Sequence, residues 1–222
     1  MSHPDFSLLG PNDLVLPPGW VVTAAADTGT FMCGSIGFVS PDKYVFIVEE
    51  HPNYHYAGGE IELLDLSLGQ WKRQFRNRLV FWTKKSRPSA YADPNSQFKS
   101  ELRRRDHGGP LIIVPSKVGP ELRTEITREY FLHGAIWFAP WLTIIPREFE
   151  SARYPEHETA GGRFARLKED DHGLDTVEHI CAQHPRTKHH RKQSEMSLLD
   201  KLLKDAHRPS TGPTGDAHLG PL

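Results

Sequence analysis

Acidic residues stand at three places in this sequence where their position suggests chemistry. Asp27 ends the apolar run that begins at Trp20, and Asp93 ends a second short run that begins at Ser89. The third place is the cluster at 170–175, with the sequence Asp-Asp-His-Gly-Leu-Asp. A carboxylate at the end of a buried strand loses solvation, which is costly unless a cation or hydrogen bonds compensate. Two such strand ends and an acidic cluster on a predicted helix therefore indicate a site for divalent metal ions.

Metal ions bound by these residues would suit the hydrolysis of phosphodiester bonds. That reaction needs a water in line with the scissile bond, neutralised phosphate charge and a stabilised leaving oxygen, and two divalent cations about 4 Å apart provide all three. Carboxylate oxygens are preferred ligands of Mg²⁺ and Mn²⁺. In the third cluster, Asp175 lies four residues after Asp171 and three after His172, so either pair shares one face of a helix.

Each acid also has a purely structural interpretation. Asp27 could be a turn residue in Asp-Thr-Gly-Thr, and Asp93 could be a helix N-cap before Pro94. Asp170 or Asp171 could cap the closing helix, because Asp is a common N-cap residue. The conjunction of all three places favours the metal site over these separate explanations.

Apolar periodicity and turn residues predict the order of the elements. The predicted elements are strands at 21–26, 31–39 and 44–48, a loop at 50–59, a helix at 61–79, a strand ending in Asp93, a helix at 96–105, a strand at 111–114, a helix at 118–133, a hairpin of 135–138 with 142–145, and helices at 148–154 and 171–183. This order predicts an α/β fold of the ribonuclease H-like type, with a mixed central sheet flanked by helices. Its first and fourth strands are neighbours, which would bring Asp27 and Asp93 within reach of one ion.

The composition divides the 222 residues into three parts. We predict an N-terminal arm at 1–19, one α/β domain at 20–184, and a flexible, mostly disordered tail at 185–222, which is basic and then rich in Ser, Thr, Gly and Pro. Leucines at 198, 199, 202 and 203 predict a short amphipathic helix near 197–206. This helix is either isolated and marginally ordered or a docking peptide for a partner protein.

The sequence predicts an intracellular protein without membrane association. Its mean hydropathy is −0.53, and no apolar run approaches the roughly 20 residues that cross a bilayer. The N-terminus lacks the basic start and apolar stretch of a signal peptide. Cys33 and Cys181 are the only cysteines, which argues against a disulfide framework and for a reducing compartment.

Basic residues are concentrated between Trp71 and Arg105. This segment holds eleven Lys or Arg and only two acids, a formal charge of +9, whereas the rest of the chain carries −10. Such a zone suits the phosphate backbone of a nucleic acid, although a solvated helix face with a polar loop would have the same composition. The candidate DNA-binding residues are Arg73, Arg76, Lys84, Lys85, Arg103, Arg104 and Lys117.

Three motifs together resemble the nuclease domain of the large terminase subunit of tailed bacteriophages. They are Asp-Thr-Gly-Thr at 27–30, Tyr-Ala-Asp-Pro at 91–94, and Leu-Lys-Glu-Asp-Asp-His-Gly-Leu-Asp at 167–175. The similarity extends from about Trp20 to Gln183, and the last motif is its most specific part. It implies a metal-dependent endonuclease that cuts concatemeric double-stranded viral DNA, with two Mg²⁺ or Mn²⁺ ions as cofactors.

The resemblance also implies a role for each acid. Asp27 would ligate the central metal, and Asp93 would be the acid of the second strand. Asp175, with His172 or Asp171, would complete the site, so that Asp27, Asp93, Asp171 and Asp175 are the catalytic candidates. Asp170 is the weakest candidate of the cluster.

Further implications concern partners and two departures from the family. The expected partners are double-stranded DNA, the terminase ATPase motor, the portal and the small terminase subunit, in the cytoplasm of an infected bacterium. The sequence has no Gly-x-x-x-x-Gly-Lys-[Ser/Thr] motif, so we expect either a fragment of a motor protein or a separately encoded nuclease. Glu178 also stands where relatives tend to have Arg. The rival hypotheses are another ribonuclease H-like enzyme, such as a junction resolvase, and a non-catalytic DNA-binding or assembly module.

Overall fold

The computed structural model describes residues 14–93, 98–152 and 171–186. Within these ranges the strands are β1 (Val21–Asp27), β2 (Cys33–Val39), β3 (Val45–Pro52), β4 (Tyr54–Ala57), β5 (Glu60–Leu63), β6 (Ser89–Ala92), β7 (Ile112–Pro115) and β8 (Ile136–Phe138). The helices of the same ranges are α1 (Leu68–Thr83), α2 (Lys99–Arg103), α3 (Pro120–Leu132), α4 (Ile144–Ser151) and α5 (His172–Gln183). Asp170, the predicted helix near 197–206, and most of the predicted arm and tail lie outside the described residues.

A six-stranded mixed sheet organises the described fold, in the order β7-β6-β1-β2-β3-β8. β1, β2 and β3 form an antiparallel meander, whereas β6 pairs parallel to β1, β7 parallel to β6, and β8 parallel to β3. The predicted mixed sheet of an α/β fold is confirmed, as is the prediction that the strand before Asp93 lies beside β1.

The two faces of the sheet carry different helices. Side chains alternate along a strand, so Ala24 and Ala26 of β1 face one cluster and Ala25 faces the other. On the first face α1 buries Trp71 and Phe75, and on the second face α3 and α5 bury apolar side chains over the sheet. The small alanines of β1 allow helices to pack closely on both faces, which brings the start of α5 to the end of β1.

The sequence-based prediction for residues 50–67 was wrong. The predicted loop contains the end of β3 and a separate hairpin, in which β4 pairs with β5 across Gly58 and Gly59. Both glycines have positive φ, as two-residue hairpin turns require. Helix α1 therefore begins only at Leu68, where Ser67 and Gln70 form a capping box. The apolar residues at 61 and 64 imitate helical spacing, but pairing in the hairpin determines their structure.

The predicted hairpin of 135–138 with 142–145 was also wrong. β8 pairs with β3 instead, and the second half is the start of α4. The carboxylate of Glu50 accepts backbone hydrogen bonds from Thr143, Ile144 and Ile145 at 2.6 to 3.2 Å. A side chain 93 residues away in sequence therefore satisfies the N–H groups that a new helix leaves unpaired.

Lys72 of α1, one of the eleven basic residues between Trp71 and Arg105, is buried. Its ammonium donates to the carbonyl oxygens of Glu101, Arg104 and Asp106 and lies 3.2 Å from the Asp106 carboxylate. An ammonium has three N–H donors, and here they fasten the segment after α2 to α1. Lys72 is thus a structural residue. Both cysteines are buried and free.

Candidate active site at the acidic edge of the sheet

Two acids meet at the edge of the sheet where β1 and β6 end. Ala25 of β1 is paired with Tyr91 of the parallel strand β6. Asp27 and Asp93 each follow two residues later, so the same register brings them side by side on adjacent strands, which are about 4.8 Å apart. Because side chains alternate, both acids lie on the sheet face of Ala25 and Tyr91. That is the face on which α5 packs.

The first turn of α5 contacts this pair through His172. The Nδ1 atom of His172 lies 2.7 Å from Oδ2 of Asp27, and its ring packs against Phe31 and Tyr54 at centroid distances of 5.5 and 5.8 Å. Burial alone would lower the pKa of His172, but the hydrogen bond and charge of Asp27, with the negative charges of Glu148 and Asp171, raise it above its ordinary value. The structure therefore joins two of the predicted site residues directly.

Asp171 and Asp175 lie on the same turn, and both are buried. The backbone N–H of Asp175 donates to the carbonyl oxygen of Asp171 at 2.8 Å. Asp171 occupies the N-cap position of α5, but its side chain makes no capping hydrogen bond. Asp93 is not the cap of α2, because that helix has Phe98 at its N-cap. Asp171 thus holds the expected N-cap position without the capping hydrogen bond, whereas Asp93 does not cap α2.

The carboxylates at this edge suit a hard divalent cation in their chemistry. In the part of the chain that the structure describes, their oxygen atoms do not converge on a single point that an ion could occupy. Asp side chains at strand ends supply short carboxylate arms, as Mg²⁺ and Mn²⁺ prefer. Within the described ranges, no group of three or more His, Cys, Asp or Glu side chains is already arranged to hold a metal ion. Asp27 and His172 are in contact, Asp93 lies beside Asp27 by register, and the turn carrying Asp171 and Asp175 covers the same face.

Glu148 of α4 is a buried acid beside this site that the sequence analysis did not select. Its carboxylate accepts hydrogen bonds from the hydroxyls of Tyr54 at 2.7 Å and Tyr56 at 3.2 Å, and from the backbone N–H of Leu174 at 2.8 Å. Burial raises the pKa of Glu148 to about 7, and these hydrogen bonds oppose the rise. A signal was present in the sequence, because Glu148 follows Ile144 and Ile145 at helical spacing and so falls on the apolar face of α4.

Arg123 is a second residue that the sequence analysis missed. This buried side chain of α3 has Nη1 3.8 Å from Oδ2 of Asp93, and the same atom donates to the carbonyl oxygen of Val118. Its Nε atom has no hydrogen-bond partner among the described residues. The guanidinium therefore places a buried positive charge beside the Asp93 carboxylate.

The candidate DNA-binding residues differ in their contacts. Arg76 donates to the carbonyl oxygens of Pro110 and Ser86, and Arg103 donates to that of Ile113, so both brace the fold. Arg104 pairs with Glu101 at 2.6 Å. The remaining four, Arg73, Lys84, Lys85 and Lys117, are exposed.

The exposed lysines differ in their distance from Asp27 and Asp93 along the sheet. Lys117 follows the end of β7, which runs parallel to β6, and therefore lies at the acidic edge. Lys84 and Lys85 precede the start of β6, toward the opposite edge of the sheet. Lys117 is thus the predicted lysine best placed to meet a phosphate near Asp27 and Asp93.

An open cavity of about 500 Å³ lies between the end of β3 and the start of α4. Glu49 and Glu50 both line it, but Arg78, His51 and Trp82 bind the first carboxylate and the N-terminus of α4 binds the second. These two acids hold elements together, so we do not count the cavity as part of the candidate site.

Comparison with solved structures identifies the type of fold. The nuclease domain of the bacteriophage P22 large terminase matches 82% of this chain and 90% of its own, at 12% identity and a TM-score of 0.54. The large terminase nuclease domain of bacteriophage SPP1 was solved with bound Mn. It matches 71% of this chain and 83% of its own, at 17% identity and a TM-score of 0.50. The large terminase of a thermophilic bacteriophage matches 76% of this chain, at 16% identity and a TM-score of 0.51.

These likenesses define a fold shared with the nuclease domains of phage large terminases. The chain spans about two fifths of the length of the thermophilic-phage large terminase chains that it matches (41% and 40%). No family model matches the sequence, and no curated protein sequence matches it significantly. Among the described residues, no helix is long and apolar enough to cross a membrane.

Proposed function

We propose that this chain is a metal-dependent DNA endonuclease of a phage genome-packaging terminase, which cleaves concatemeric double-stranded DNA. The observation that supports this most is the parallel pairing of Ala25 with Tyr91, which aligns Asp27 with Asp93, together with the contact of His172 on Asp27. Two strand-end carboxylates beneath an acidic helix turn supply the oxygen ligands that phosphodiester hydrolysis by metal ions can use.

Asp27, Asp93 and Asp175, with Asp171 or His172, would hold two Mg²⁺ or Mn²⁺ ions. When bound, such ions activate a water and neutralise the charge on the scissile phosphate and the leaving oxygen. The chain's own groups prepare this site. Arg123 places a positive charge 3.8 Å from the Asp93 carboxylate, and His172 fixes the orientation of the Asp27 carboxylate through its hydrogen bond. His172 and Asp27 are both partly buried, so reduced contact with bulk water strengthens their interaction.

We propose that double-stranded DNA binds across the acidic edge, with Lys117 contacting its phosphate backbone. Contacts of this kind position DNA without specifying its sequence. The ATPase motor, the portal and the small terminase subunit are the protein partners that this function implies, in the cytoplasm of the host. The SPP1 domain with bound Mn supports Mn²⁺ as the first ion to test.

A plasmid-nicking assay with Mn²⁺ tests the proposal. We expect the wild type to convert supercoiled plasmid to nicked and linear forms, and EDTA to stop the reaction. Asp27→Asn, Asp93→Asn and Asp175→Asn should each lower the rate by about 100-fold or more, because each removes a negative ligand from the site. The matched control is Asp42→Asn, since Asp42 is an exposed acid in the turn between β2 and β3, at the end of the sheet opposite Asp27.

The outcomes separate the proposal from its rivals. Nicking that persists in Asp93→Asn would refute the assigned site, and a wild type that never nicks DNA would favour a non-catalytic DNA-binding or assembly module. Faster cleavage of four-way junctions than of linear duplex would favour a junction resolvase.

A further inference from the structure

The N-terminus of α5 is capped by a residue from another helix. A helix N-cap side chain usually accepts a hydrogen bond from the N–H group two or three residues later. Asp171 holds the N-cap position, yet the N–H of Leu174, three residues on, donates to Oε2 of Glu148 at 2.8 Å. Glu148 thus performs the capping task that Asp171 is placed to perform.

The Glu148 carboxylate is fixed from several sides. Its Oε1 atom accepts the hydroxyls of Tyr54 and Tyr56, and the residue is only 1% exposed. Gly173 allows this close approach, because a Cβ atom there would lie 3.0 Å from Oε2 of Glu148 and 2.9 Å from Cγ1 of Ile145. The capping oxygen therefore has little freedom to move away from α5.

We propose that Glu148 is a positioning residue for metal binding: by capping α5 in place of Asp171, it keeps the Asp171 carboxylate directed to the cation site. This inference rests on the proposed function. If Asp171 capped the helix, at least one of its carboxylate oxygens would be engaged by the Leu174 N–H instead of being available to a cation. Residues that orient metal ligands commonly change metal affinity 10- to 100-fold when they are mutated.

A purely structural role for Glu148 would predict a different result. If the residue only stabilised α5, its loss would lower the melting temperature without changing the Mn²⁺ affinity of the folded protein. If it acts through Asp171, its loss lets Asp171 swing onto the N–H of Leu174, and Mn²⁺ affinity falls. That loss must also depend on the side chain at position 171.

The experiment is a double-mutant cycle on Mn²⁺ affinity, measured by calorimetry on the full chain without DNA. The variants are Glu148→Met, which keeps the volume but removes the cap, Asp171→Asn, and the two combined. Glu148→Gln retains an oxygen for the Leu174 N–H and should stay within about threefold of the wild type. Glu150→Gln, an exposed acid two residues further along α4, is the matched control.

We expect Glu148→Met to weaken Mn²⁺ binding at least about tenfold, but less than about twofold in the Asp171→Asn background. An unchanged affinity in Glu148→Met, or an equal loss in both backgrounds, would overturn the inference while leaving the nuclease proposal intact. A wild type that binds no Mn²⁺ would defeat the proposed function and this inference with it. If Glu148→Met does not fold, the cycle is run with Glu148→Asp, whose arm is one methylene shorter.

Discussion

His172 Nδ1 lies 2.7 Å from Asp27 Oδ2, which ties the first turn of α5 to the end of β1. The imidazole is enclosed by the rings of Phe31 and Tyr54, so the pair is shielded from solvent on two sides. An ionised carboxylate accepts only, so His172 donates through Nδ1 in this contact. Although burial alone would lower the pKa of His172, the hydrogen bond and the charge of Asp27 together raise it.

We predict that Asp27→Asn lowers the pKa of His172 in the metal-free protein. In the wild type the pKa is raised, in spite of burial, by the hydrogen bond and charge of Asp27. Protonated His172 thus stabilises the fold at acidic pH, and this contribution is lost as the pH rises through the raised pKa. A titration of histidine ring resonances by NMR measures the change, with the exposed His55 as an internal control. An unchanged His172 pKa in Asp27→Asn would contradict the prediction.

A second prediction concerns Glu49, whose carboxylate joins β3 to α1. It accepts hydrogen bonds from Arg78, Trp82 and His51. Burial by itself would raise its pKa, but these partners lower the pKa to about 2. A lowered pKa means that ionised Glu49 stabilises the fold above about pH 4.5, and that this stability is lost as the pH falls toward 2.

Glu49→Gln should therefore lower the free energy of unfolding by about 3 kcal/mol at pH 7, since each pKa unit corresponds to about 1.4 kcal/mol. Urea denaturation at pH 7 and at pH 3.5 measures the effect. The difference in the free energy of unfolding between variant and wild type should be smaller at the lower pH. Glu60→Gln changes an exposed acid and should have no measurable effect. An equal difference in the free energy of unfolding at both pH values would show that the charge of Glu49 does not cause the loss of stability.

The sequence was sufficient to predict that the strand before Asp93 lies beside β1, because that relation depends on local pattern and strand order. Asp27 and Asp93 each end an apolar run, and a parallel neighbour relation follows from the order of the elements. The caps made by Glu50 and Glu148 could not be predicted in the same way. Glu50 of β3 binds backbone N–H groups at the start of α4, and Glu148 of α4 binds one at the start of α5. The local sequence pattern does not indicate such a partner in another element.

The local sequence pattern gave a wrong prediction where the same spacing of apolar residues fits both a helix and a strand. The apolar residues Ile61 and Leu64 fit a helix, but the turn at Gly58 and Gly59 allows β5 to pair with β4. Charge was likewise a poor guide to exposure. Lys72 belongs to the basic zone by composition, yet it is buried among carbonyl oxygens of the segment that follows α2.

The last prediction separates Lys117 from Lys84, two exposed lysines of the candidate DNA-binding set. Lys117 follows β7 at the acidic edge, whereas Lys84 ends α1 and leads toward the opposite edge through the start of β6. If duplex DNA lies across Asp27 and Asp93, only the first can reach its phosphates. Lys117→Ala should then weaken binding and reduce the slope of log K against log salt by about one. Lys84→Ala should leave both unchanged.

Fluorescence anisotropy with a labelled duplex in Ca²⁺, at several salt concentrations, measures both quantities. Thermal melts control for folding, which neither exposed substitution should disturb. Equal losses in the two variants would mean that DNA contacts the α1 surface as well, and that the whole basic zone follows the backbone. An effect of Lys84→Ala alone would place the duplex away from the acidic edge, because the phosphate contact and the carboxylates would then lie at opposite ends of the sheet.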